Sequence, residues 1–126
     1  MEYLTPTHQE ILDVVRQSGV TVLVNEYKIC GADQYDGYAM TWRDSQNTFG
    51  KNVLIMCNNT IKKNYTDWVG EINRTLAHEA VHIAQMCKEG KGYVEPLGFK
   101  KDVEKEAFAI QDQPREVLRI VRKYCL

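Results

Sequence analysis

The chain has 126 residues, 44% of them hydrophobic and 26% charged, with a formal net charge of −1. That length suits one domain, residues 1–126, around a single core. The near-neutral balance gives no electrostatic case for nucleic acid or an anionic membrane surface as a partner. No run approaches the roughly 18 apolar residues of a membrane span, and the opening MEYLTPTHQE lacks the basic and then apolar regions of a signal peptide. Four cysteines, Cys30, Cys57, Cys87 and Cys125, are scattered without a CxxC pair. This usage predicts reduced thiols and a cytoplasmic protein. Two disulfides, in any of three connectivities, are the alternative for an exported chain.

In chain order, TPTHQEILDVVRQSG predicts a first helix: Thr5 caps it, Pro6 opens it, Ile11, Leu12, Val14 and Val15 give it an apolar face, and Gly19 stops it. Thr21 to Tyr27 is rich in β-branched residues and predicts a strand, and KICGADQYDG reads as a loop. Gly37 to Arg43 predicts a second strand, DSQNTFGKN a turn, and Asn52 to Cys57 a third strand. From Asp67 the period changes. Trp68, Val69, Ile72, Leu76, Ala80, Val81, Ile83 and Ala84 fit a helix buried on more than one side, capped by Thr66 or Asp67 and running to about Cys87. A loop rich in Gly and Pro follows, then a helix over DVEKEAFAIQDQ, ended by Pro114, which opens a last helix. The arginines of that last helix, Arg115, Arg119 and Arg122, read as a solvated face. The order predicts an α+β domain, a small β-sheet packed on a helical layer.

The central helix carries HEAVH, from His78 to His82. Histidines four apart leave one helical face about a turn from each other, so two imidazole nitrogens can meet one Zn²⁺. Glu79 reaches the same side without lying on the metal's direct line. It is placed to take the proton of a water whose pKa the zinc has lowered. The surrounding LAHEAVHIAQM is apolar, so these polar residues are partly buried and need partners.

TLAHEAVHIAQ followed by EKEAFA resembles the gluzincin class of zinc peptidases, in particular its small single-domain, minigluzincin-like members, over Asn73 to about Gln111. In that class HExxH precedes a helix with a glutamate ligand in an ExxA pattern, matched here by Glu104 to Ala107. The resemblance implies a zincin-like fold, His78, His82 and Glu104 as zinc ligands, and Glu79 as catalytic base. The class's usual Asp or Asn after the alanine is replaced by Phe108, which leaves the support of the two histidines unassigned. Glu104 and Glu106 compete for the third position, being about 200° apart on a helix. Glu104 shares the side of Ala107 and Phe108 that reads as buried, and Glu106 reads as solvated. Cys87 points away from the shared metal and reads as a small core residue.

The function expected is zinc-dependent hydrolysis of peptide bonds in a peptide or protein substrate. A catalytically silent zinc-binding regulatory module is the alternative, and the intact Glu79 argues against it. Tyr93 and Tyr124 are available as oxyanion stabilisers, although packing explains either. Val53 to Met56 is the candidate strand for edge addition of substrate.

Overall fold

The computed structural model describes residues 1–43, 50–89 and 94–126. The elements run α1 (Pro6–Gln17), β1 (Thr21–Val24), α2 (Tyr27–Cys30), β2 (Gly37–Arg43), β3 (Gly50–Met56), α3 (Asn58–Asn64), α4 (Trp68–Glu89), α5 (Val103–Ile110) and α6 (Pro114–Cys125). The class is α+β, as expected. Most of the expected turn over 44–52 lies outside the described residues, as do Gly90, Gly92 and Tyr93 of the later loop.

Local chemistry sets the helix ends. The Thr5 hydroxyl accepts the His8 N–H at 3.2 Å at the start of α1. The Asp67 carboxylate accepts the Gly70 N–H at 3.1 Å at the start of α4, and Asp102 accepts the Lys105 N–H at 2.9 Å at the start of α5. Gly19 follows α1 with φ +92°, a conformation that favours glycine.

The helix α4 is the axis of the domain and packs against α1, α3, α5, α6 and the sheet. Its Ile72, Leu76, Ala80, Ile83 and Ala84 are wholly buried. Each such Ile or Leu contributes about 1.5–3 kcal/mol on transfer from water.

The sheet has the order β1-β3-β2, with β1 parallel and β2 antiparallel to β3. Leu54 and Met56 of β3 join the main core beside α4, while Val53 and Ile55 join a smaller cluster with Cys30 and Cys57. Burial on both faces explains the unbroken apolar run. It also corrects the assignment of Val53 to Met56 as the edge strand: β3 is central and paired on both sides. The edges are β1 and β2.

Two short helices were not expected. Asn25 adopts φ 58° and its side-chain oxygen accepts the Asn59 N–H at 2.9 Å. This turn ends β1 before Tyr27 and lets Glu26 cap α2. The helix α3 spans only seven residues, too few for periodicity to register.

The cysteines need the largest correction. Cys30 pairs with Cys57 and Cys87 with Cys125, at Cα separations of 5.4 and 5.2 Å, leaving no free cysteine. The expectation of four reduced thiols in a cytoplasmic protein is overturned, because paired cysteines belong to an oxidising compartment. Cys87 is not a plain core residue either. It staples the end of α4 to the end of α6 across 38 residues of sequence. Among the described residues no helix is long and apolar enough to cross a membrane.

Thiol titration of the denatured, unreduced protein is expected to find no free thiols, and four after reduction. Replacing Cys87 and Cys125 by serine is expected to lower stability by about 2–4 kcal/mol in chemical denaturation, through the loop the bond closes. Four titratable thiols before reduction would refute the pairing.

Candidate metal centre

The helix α4 presents His78, Glu79 and His82 to one side, and α5 crosses so that Glu104 meets the two rings. The His78 Nε2 lies 3.4 Å from the Glu104 Oε1, and the His82 Nε2 is in direct contact with the same oxygen. One donor atom from each of the three residues falls within 4.8 Å of the others. Ligands at about 2.0–2.1 Å from a tetrahedral ion stand roughly 3.3–3.4 Å apart, which the His78–Glu104 separation matches, while the His82–Glu104 contact is tighter. Nitrogen and oxygen donors of this kind suit zinc among other ions. The group could hold a metal ion.

The Nδ1 atom of each ring meets a glutamine oxygen. His78 Nδ1 is 2.8 Å from Gln111 Oε1, and His82 Nδ1 is 2.7 Å from Gln85 Oε1. Each ring thus has an amide partner within hydrogen-bond distance of its Nδ1. Phe108 packs its ring on His78, with centroids 4.6 Å apart. Burial holds the His78 imidazole below its ordinary pKa and so favours the neutral, ligand-competent form; the Gln111 contact and Glu104 oppose that shift in part.

Glu79 is 5% exposed and lines the same cleft. Burial, and then the Glu104 carboxylate, push its carboxyl up to about 8. Its space is provided by Gly37 at the start of β2. A Cβ at Gly37 would come 2.8 Å from Thr75 Cγ2 and 3.0 Å from Glu79 Cγ. Only a residue without a side chain lets the β2 backbone run this close to α4.

The cleft has a volume of about 630 Å³. Its walls include Tyr35, Tyr38 and Tyr65 beside Phe108, and Tyr65 donates to Asp36 at 2.7 Å. Tyr124 packs against the main core and is not among the cleft residues, and Tyr93 lies outside the described residues.

Glu106 takes no part in the cluster. It is not solvated, as its place beside Asp102 and Ile110 suggested, but wholly buried. Its carboxylate accepts the backbone N–H groups of Leu97, Phe99 and Lys100 at 2.8–3.2 Å, and the Gln85 side-chain N–H at 2.8 Å. Burial alone would raise this carboxyl, but the Gln85, Leu97, Lys100 and Phe99 donors outweigh it and hold the group below its ordinary pKa. Glu104, by contrast, keeps 56% of its side chain exposed, the reverse of the burial expected for the two glutamates.

A family described as Domain of unknown function (DUF8637) matches residues 1–101. The chain belongs to that family. The DUF8637 match contains His78, Glu79 and His82 and ends before Glu104. Comparisons with curated proteins and with solved structures gave no match.

Gly37→Ala is expected to lower stability by about 1–3 kcal/mol, the usual cost of overpacking. Thermal or denaturant melting measures it. An unchanged melting profile would show that Thr75 and Glu79 yield freely to the added methyl.

Proposed function

We propose that this protein is a zinc-dependent metallopeptidase in which His78, His82 and Glu104 hold the ion and Glu79 is the catalytic base. The observation that carries the reading is the convergence of His78, His82 and Glu104 at one wall of an open cleft, with a buried, non-ligating carboxylate beside them. Two His and one Glu on an open cleft would make a donor set for catalytic zinc rather than a closed structural site. Zinc supplies Lewis acidity there, bringing a coordinated water's pKa toward neutrality and polarising the scissile carbonyl.

The chain's own residues supply the remainder. Glu79 must be ionised to accept a proton, and the two causes that raise its pKa are burial and a neighbouring negative charge. With a dication held by the histidines and Glu104, the negative charge beside Glu79 would be offset and its ionised form favoured. Glu79 then takes a proton at its carboxylate oxygen and returns it to the leaving amine. The β2 edge, with Gly37, Tyr38 and Ala39 on the cleft, pairs with no second strand among the described residues and so suits addition of an extended peptide. The tyrosines and Phe108 give apolar walls for substrate side chains.

Protein purified without chelator is expected to contain close to one zinc per chain. Glu104→Ala is expected to weaken that binding strongly, since one of three protein ligands is lost. Elemental analysis without zinc, and no uptake on titration, would end the metal reading. Glu79→Gln is expected to keep its zinc while losing about 10²- to 10⁴-fold in hydrolysis of a peptide library. A wild type that holds zinc and cleaves nothing across the library would instead favour a zinc-binding module without activity.

A further inference from the structure

The glutamine beside His82 does more than fill space. Gln85 is wholly buried, and its amide nitrogen faces two acceptors: Glu106 Oε1 at 2.8 Å and the Val103 carbonyl oxygen at 3.1 Å. A backbone carbonyl accepts and never donates, so these partners fix which end of the amide is nitrogen. The Gln85 oxygen must then be the atom 2.7 Å from His82 Nδ1. An amide oxygen is an acceptor only. The hydrogen of a neutral His82 therefore sits on Nδ1, and Nε2 is left with its lone pair turned toward Glu104.

Glu106 is itself held in place. Leu97, Phe99 and Lys100 direct their N–H groups at its carboxylate from a short loop that Gly98 bends at φ +109°. Such converging N–H groups form a cradle for an anion. That cradle prevents Glu106 from turning and leaves Oε1 shared between the Leu97 N–H and Gln85. A hydrogen-bonded line thus runs from the 97–100 backbone through Glu106 and Gln85 to the His82 ring. His78 is supported differently, its Nδ1 meeting Gln111 just past the end of α5.

We infer that Gln85 and Glu106 are positioning residues that lock His82 in its Nδ1–H tautomer and so keep Nε2 ready for the metal. The metal role of Nε2 rests on the function proposed above. The tautomer is a property of the chain alone. Breaking the line should release the ring. In Glu106→Gln the new NH₂ faces the Gln85 NH₂ and the Leu97 N–H, while the Val103 carbonyl still calls for the Gln85 nitrogen. Neither orientation of Gln85 then satisfies both of its neighbours, so its hold on the Nδ1 hydrogen of His82 is loosened. A ring hydrogen that moves to Nε2 would block a metal ligand. Gln85→Met removes the acceptor altogether and leaves the ring free to choose.

Long-range ¹H–¹⁵N correlation NMR of the chelator-treated protein reads the tautomer of each histidine directly. Wild-type His82 is expected as Nδ1–H. Both variants should shift it toward Nε2–H, and His78 should stay unchanged. Zinc affinity of each variant should fall by about 10- to 100-fold, the usual effect of losing a ligand's supporting partner. Wild-type His82 found as Nε2–H overturns the inference without need of a variant. So does a His82 signal that neither substitution moves. If Glu106→Gln does not fold, Gln85→Met, which leaves the backbone cradle of Glu106 intact, decides. A wild type with the Nδ1–H tautomer but no zinc uptake would remove the metal reading while leaving the lock in place.

Discussion

The histidine Nε2 atoms and the Glu104 carboxylate are electron-pair donors gathered within 4.8 Å of one another. Such a gathering is repulsive unless positive charge lies between the atoms, as a metal ion would supply. Much of the domain serves to bring it about. The helix α4 is held on several sides by α1, α3, α5, α6 and the sheet. The Cys87–Cys125 bond fixes its far end to α6, and the fully buried Ala107 belongs to the core that seats α5 near it. The rings can then be aimed only by a framework that does not move.

Glu79 and Glu106 show how one side chain takes opposite roles in different surroundings. Both are buried. Glu106 receives backbone and amide N–H groups, so its charge is stabilised and its work is to hold other groups still. No hydrogen-bond donor contributes to the shift of Glu79, and burial together with Glu104 makes its charge costly. A carboxylate in the second situation is reactive toward protons, while one in the first is inert. Sequence proximity does not separate them, but the partners do.

His78, Glu79 and His82 were legible in the sequence because one helix carries all three, and the 3.6-residue period alone places the histidines together. Glu104 was visible as one of two candidates. The argument from the buried side, however, ran the wrong way: Glu106 is buried and Glu104 open. The hidden factor was the loop at 97–100, whose backbone N–H groups seek the carboxylate and leave no mark in residue type. Gln85 had a faint signal, standing three residues after His82 on the same face, but glutamines at that spacing are common. Gln111 had none. The fold class and three strands followed from alternation and apolar runs, while the order β1-β3-β2 did not, since pairing depends on contacts distant in sequence. The cysteine pairs were misread for the same reason. They span 27 and 38 residues, and only the finished fold brings them together.

Zinc-edge X-ray absorption on the purified, zinc-loaded protein tests the central claim most directly, because it reads the ligands rather than the presence of metal. The account predicts a first shell of nitrogen and oxygen at about 2.0–2.2 Å, with the outer-shell pattern of two imidazoles. In Glu104→Ala that shell should lose an oxygen donor or the metal altogether. Scattering from sulfur at about 2.3 Å, or a shell without two imidazoles, would contradict it.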